Sequence, residues 1–259
     1  MRFLKRLAGH RLYHPNALEH EAKHAFAPLA YGPNSLQYKV LNHTLEKHVP
    51  SYGFNERALV ASLNDLGLGS SVLSAIGADN SPSFLNVPPS VLELAKFHLV
   101  TKRYAITKEL NSATASLEAT QSPTSLGTLF QRRLELNKPV ASHLSQLLAI
   151  LSMPGEFLVK SALPELHRLS DDMIYFSSEA DSHDFAWYSK RVAISCAFVS
   201  SELFMAQDKS PNFAQTFEFA AEKLHHVTKL GQYYTNTEEY MWYTLLMSIN
   251  LAKSQLTRS

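Results

Sequence analysis

Residues 184–207 limit what this chain can fold into more than any other stretch. Read as one helix, the segment carries Phe185, Val192, Ala193, Ile194, Cys196, Ala197, Phe198, Val199, Leu203, Phe204 and Met205, and is apolar on nearly every face. A surface helix shows one apolar stripe, so a helix of this kind must be wrapped by others. The flanking sequence supplies them. Apolar spacing predicts helices at about 127–137, 139–152, 155–177, 212–231 and 237–257, with Pro139, Pro154, Pro164 and Pro211 at starts or kinks. No stretch alternates long enough to predict a strand. Nine glycines in 259 residues also speak against a turn-rich β fold. The expected class is all-α.

The first half reads as further helices. Val40, Leu41, Leu45 and Val49 form a stripe ending at Pro50, and Asn55 and Gly67 bracket "NERALVASLNDLG" as N-cap and C-terminal stop. A short piece, "SSVLSAIGA", follows, with Ser70 or Ser71 as its cap. "VPPSVLELAKFHLVTKRYAI" starts on prolines suited to a first turn and ends near Lys102 and Arg103, cations suited to a helix C-terminus. This order is the outline of a helix-turn-helix domain. Its charge is wrong for DNA. Residues 51–93 hold one cation, Arg57, against Glu56, Asp65, Asp79 and Glu93, a net −3. The short piece has no Arg, Lys, Asn or Gln to reach a base edge. The pattern therefore reads as a DNA-binding shape put to another use. Residues 111–127, small, polar and aperiodic, predict a loop.

At the N-terminus, Arg2, Lys5, Arg6 and Arg11 precede the first acid, Glu19, and alternate with Phe3, Leu4, Leu7 and Leu12. That is the pattern of a mitochondrial transit peptide, expected to end near Tyr13. Without those four cations the rest holds 20 cations against 23 acids, a balance that disfavours nucleic acid. No apolar run reaches the ~18 residues a membrane span needs. "HEAKH", His20 to His24, spells a zinc-protease pattern, but prolines bracket it and it reads as a chance match. The expected division is transit peptide 1–13, linker 14–35, helix-turn-helix-like part 36–108, loop 109–126, helical part 127–236 and last helix 237–259.

Cys196 is the only cysteine, which excludes an internal disulfide; inside an apolar helix it reads as a small buried side chain. No phosphate loop, G-x-S-x-G or di-iron E-x-x-H pair is present, and Glu165 and His167 face different ways on their helix. No active site, metal or cofactor is expected. The N-terminal turn of 184–207 is the more informative place. Asp184 is its expected cap, and Trp187, Tyr188, Lys190 and Arg191 follow; Trp, Tyr and Arg dominate interface hot spots. "HRLSDDMIYF" brings Asp171, Asp172, Met173, Tyr175 and Phe176 to the end of the preceding helix. The cluster is either a partner-facing surface or a plug that closes the core. Phe157, Ile194, Phe198, Leu203 and Phe217 either pack solid, as periodicity favours, or wall a lipid cavity. In the last helix, Trp242, Leu245, Ile249 and Leu256 make one apolar stripe and Tyr240, Tyr243, Met247 and Leu251 a second. Its own subunit, a second subunit or a membrane surface can cover the extra face.

"DFAWYSKR" followed by "SSELFMAQDKSPNFAQTFEF" resembles the mitochondrial ubiquinone-biosynthesis accessory family, the ninth of the coenzyme Q biosynthesis proteins. "LPELHRLSDDMIYF" and "YGFNERALVASLNDLGLGSS" fit it too, and the resemblance covers roughly residues 36–231. Phe54 stands where many members have Trp, and "DNSPSFLNVPP" replaces a Gly-rich stretch. The resemblance implies a homodimer with a fold like the TetR regulators, without DNA binding. It implies a cavity for lipids, including isoprenoid quinone intermediates, and a last helix that docks on the matrix face of the inner membrane through Trp242, Leu246 and Ile249. It implies a surface that binds the demethoxyubiquinone hydroxylase, made by Met173, Asp184, Trp187, Tyr188 and Arg191. The chemistry then belongs to the partner. A TetR-like ligand-sensing regulator is the alternative, and the missing basic helix counts against it. A quinone-modifying enzyme would need a ligand set or redox motif that the sequence lacks.

Overall fold

The computed structural model describes residues 26–80, 87–115, 124–177 and 186–228, and all regular elements among them are helical. Helix α1 starts at Leu36, where the Ser35 hydroxyl accepts from the Tyr38 N–H. It runs Leu36–His43, widens into a π-helical turn, Thr44–His48, and closes as Val49–Tyr52. Gly53 ends it at φ 78°, where any side chain would meet Gln146 and His143. Helix α2 (Glu56–Asp65) is capped as expected: Asn55 Oδ1 accepts from the Ala58 N–H at 3.0 Å. Helix α3 (Ser71–Ala75) is shorter than the sequence implied, and Ser70 at its N-cap makes no capping bond through its side chain.

Helix α4 (Pro89–Ala115) departs most from expectation. It does not end at Lys102 and Arg103 but continues through residues 109–115, which were expected to be loop. Lys102 and Arg103 are mid-helix residues, and Arg103 is 1% exposed. Its cation is held by partners on another helix, so no helix end is needed to explain it. Then come α5 (Leu126–Glu135), a 3₁₀ turn Lys138–His143 leading into α6 (Leu144–Leu151), a π-helical turn Leu158–Ala162 leading into α7 (Leu163–Phe176), α8 (Ala186–Met205), and a 3₁₀ turn Pro211–Phe213 leading into α9 (214–228). Pro139 and Pro211 sit in the first turns of their elements, where a missing N–H costs nothing, and Pro164 follows directly on the π-helical turn.

Two apolar cores form. Residues of α1, α2, the first half of α4 and α6, among them Leu41, Leu59, Phe97 and Leu144, make the first. Residues of α5, α7, α8 and α9, among them Phe130, Ile174, Phe198 and Leu224, make the second. Helix α4 belongs to both, with Leu94, Phe97 and Val100 in the first and Ile106 in the second. A polar brace ties the α1–α2 turn to α6. Gln146 accepts from the Phe54 N–H at 3.0 Å and donates to the Phe54 carbonyl at 2.9 Å, pairing with the backbone as a strand would.

Helix α8 packs against α5, α6 and α7, as its composition demanded, but not on every side. Tyr188, Val192 and Leu203 are 58%, 57% and 50% exposed, and Cys196 is exposed as well. The expectation of a buried Cys196 is therefore wrong. Positions 188, 192, 196 and 203 fall on one helical stripe, and that stripe faces outward. HEAKH, Asp184 and the last helix, with Trp242, Leu246 and Ile249, lie outside the described residues.

Candidate functional site

Helices α6, α7 and α8 enclose a cavity of about 490 Å³, and Leu99 of α4 and Arg133 of α5 complete its wall. The volume suits a ligand-sized apolar pocket. Most of the wall is aliphatic: Leu148, Leu151, Leu158, Leu166, Leu169 and Val199 belong to it. Leu163 and Leu203, about half exposed, line it as well, so the cavity reaches the surface where the start of α7 faces α8. The π-helical turn before α7 contributes Leu158 and Ala162 to the wall. Of the five residues expected to line a lipid site, Phe198 and Leu203 line this cavity. Ile194 is fully buried in the second core, Phe217 packs against that core under Lys138, and Phe157 packs against the first. Helical spacing marked these three as apolar and could not tell core from cavity wall.

One end of the cavity is charged. Arg133, Glu165 and Glu202 line it, and the three are 1%, 3% and 4% exposed. Asn137 stands between Arg133 and Glu202. Its Oδ1 accepts from Arg133 Nη1 at 2.7 Å and its Nδ2 donates to Glu202 Oε1 at 2.7 Å; His98 Nε2 lies 3.2 Å from the same Oδ1. Arg133 sits over the Phe198 ring at 5.2 Å. Burial raises the Glu202 and Glu165 pKa values above the usual carboxylate range, against the pull of Arg133 and Arg103. Burial also lowers the pKa of Arg133 and holds His98 well below the usual 6.5. Nothing in the apolar periodicity of 127–137 or 184–207 announced this group.

Glu165 links this end to a second buried ionic cluster. Arg103 bonds Glu165 through Nε, Asp172 through Nη1 at 2.8 Å and the Ala27 carbonyl through Nη2 at 2.8 Å. Arg191 Nε donates to Asp171 Oδ1 at 2.7 Å, with both side chains buried. Two residues of the partner surface expected at this end are buried within the chain: Arg191 turns inward to Asp171, and Met173, 1% exposed, lies in the second core. Asp171 and Asp172 are internal counter-ions. A helical acid pair followed by a helix-start cation reads the same way whether the charges pair outward or inward. Tyr188 alone of the described patch residues faces out; Trp187 belongs to α8, but its side chain lies outside the described residues.

The structure also brings together His43, His48 and Asp65, with ligand atoms within 4.8 Å of one another. The π-helical turn puts the two histidines, five residues apart, on one side of α1. Each has a use within the fold: His43 Nδ1 lies 2.8 Å from Ser62 Oγ, and His48 Nε2 lies 3.1 Å from Asp65 Oδ2, tying α1 to α2.

Comparison with known proteins places these features in a family. The COQ9 family profile matches residues 159–231. "Ubiquinone biosynthesis protein COQ9, mitochondrial" of Eremothecium gossypii is 56% identical over 248 residues, 96% of this chain and 97% of that protein. The protein of the same name from Saccharomyces cerevisiae is 54% identical over 248 residues, 96% of this chain and 94% of that one. The Homo sapiens protein of that name is 28% identical over 202 residues, 76% of this chain and 58% of the human one.

Proposed function

Because the chain belongs to the COQ9 family, we propose that it is a mitochondrial, non-catalytic, lipid-binding accessory protein of ubiquinone biosynthesis. It binds isoprenoid quinone intermediates and presents them to the demethoxyubiquinone hydroxylase at the inner membrane. The single observation that carries this reading is the aliphatic cavity between α6, α7 and α8, with its mouth at Leu163 and Leu203. A long prenyl tail fits such a wall and a polar metabolite does not. The relatives' names supply the pathway and the compartment.

One further observation supports the accessory role. The outward stripe of Tyr188, Val192 and Leu203 leaves an apolar surface on α8 that a partner would cover. No helix among the described residues is long and apolar enough to cross a membrane. The helix-turn-helix-like part, acidic over residues 51–93, is the TetR-like part of a homodimer that no longer reads DNA. Extraction of the purified protein followed by mass spectrometry tests the lipid reading. Prenylated ring lipids, enriched over their share of the membrane, are expected. A protein that carries no lipid when isolated from quinone-producing cells would refute it.

A further inference from the structure

The charged end of the cavity has more hydrogen-bonding capacity than the protein itself uses. A guanidinium can donate five hydrogen bonds, and among the described residues Arg133 donates one, to Asn137. Arg133 Nε, Glu165 Oε2 and His98 Nδ1 are the buried side-chain atoms without a hydrogen-bond partner among the described residues; Arg133 and Glu165 line this end, and His98 adjoins it through Asn137. Glu202 commits one carboxylate oxygen, Oε1, to Asn137. Buried polar atoms left unpaired are costly, and they are rarely gathered in one place without a use.

We infer that this end is a headgroup site, and that it selects a neutral aromatic head bearing a hydroxyl beside an oxygen acceptor, a phenol or hydroquinol, over the fully oxidised quinone. The inference rests on the lipid-cavity reading above and goes beyond it to oxidation state. The physical argument has three parts. Arg133 offers donors and Glu202 and Glu165 offer acceptors, so a head must both accept and donate to satisfy them. A hydroquinol does both; a quinone has only acceptors and brings no donor to the second carboxylate oxygen of Glu202, whose first is taken by Asn137, or to Glu165 Oε2, which has Arg168 at 3.5 Å as an ion-pair partner but no hydrogen bond. The charges of Arg133 and Glu202 already balance through Asn137, so a fatty-acid carboxylate or a phosphate would bring an uncompensated charge into a low-dielectric wall. Phe198, beneath Arg133, supplies an aromatic surface for a ring.

Titration calorimetry under anaerobic conditions tests this with three probes: a decyl-tailed dimethoxymethylbenzoquinone, the same ring reduced to its quinol, and decylbenzene. The wild-type protein should bind the quinol about tenfold or more tighter than the quinone, the size expected for one hydrogen bond to a charged group. Glu202→Gln keeps the shape and can keep the Asn137 bond, but turns a donor toward the cavity. It should abolish or invert the preference while leaving decylbenzene binding unchanged. Arg133→Met should weaken both rings toward the decylbenzene level. Equal binding of quinol and quinone by the wild type, or of quinol and decylbenzene, would overturn the headgroup inference and leave the cavity reading standing. Failure of all three probes to bind would remove both. The wild-type comparison depends on no variant's folding, and the melting curve of each variant separates lost selectivity from lost structure.

Discussion

At the scale of the residue, Arg191 and Tyr188 lie three positions apart on α8 and differ completely in exposure. Arg191 is fully buried against Asp171; Tyr188 is more than half exposed. Removing one member of a buried ion pair strands the other charge, at a cost of about 3–5 kcal/mol. Arg191→Met is therefore expected to lower the melting temperature sharply, and any loss of partner binding should follow from unfolding. Tyr188→Ala should cost under about 1 kcal/mol of stability and abolish capture of the hydroxylase in a pull-down. A stable Arg191→Met protein would show that the Asp171 pair matters little. His98 gives a second residue-scale expectation. Burial, helped by Arg133 and Lys102, disfavours its charged form, so the unfolded chain takes up a proton near pH 6.5 that the folded one refuses. The stability that depends on His98 is whole above pH 6.5 and falls as the pH drops below it. The raised Glu165 and Glu202 act with the opposite sign: their contribution is present below about pH 4.5, the ordinary value, and is lost as the pH rises. His98→Gln removes only the first trend. Between pH 6.5 and 5 it should lose less stability than the wild type, the slopes differing by up to about 1.4 kcal/mol per pH unit for one proton. Parallel melting curves across that range would count against the assignment.

At the scale of the element, the cap and stop of α2 were legible and the length of α4 was not. Asn55 and Gly67 bound α2 because each makes a local contact or adopts a local conformation that a short window of sequence contains. Helix α4 was cut short because Lys102 and Arg103 look like a C-terminal pair. The partners of Arg103 lie on α7: Glu165 and Asp172 are 62 and 69 residues away. The Gln146 brace is hidden in the same way, since its partner Phe54 is 92 residues away. Gln146→Leu would orphan one donor and one acceptor of the α1–α2 turn. A loss of about 1–3 kcal/mol is expected, read as a lower urea midpoint at unchanged slope. An unchanged midpoint would mean that water replaces the side chain at no cost.

At the scale of the whole molecule, the all-α class followed from periodicity, and so did the central place of α8. The cavity did not. Phe198 and Leu203 line it while Ile194, on the same helix, is core, and only the crossing of α6, α7 and α8 decides which is which. The acidic balance of 51–93 was legible because charge adds along a chain whatever its shape. Helix α4 runs through both apolar cores, and Arg103 fastens it to α7. The two halves should therefore unfold together. Urea denaturation followed by helical circular dichroism and by aromatic fluorescence is expected to give one coincident transition. Two separated transitions would show that α4 can break between the cores.

The exposure of Cys196 has a practical consequence. The chain has one thiol, and it lies in the middle of the outward stripe of α8, between Val192 and Leu203. A nitroxide or a fluorophore can therefore be attached to the unaltered protein at a single known point. If two copies pair along α8, the two spin labels will come within dipolar range and broaden each other's spectra. If the hydroxylase covers the stripe, the label will lose mobility when that enzyme is added. If a membrane covers it, dissolved oxygen will relax the spin faster than a water-soluble nickel chelate does.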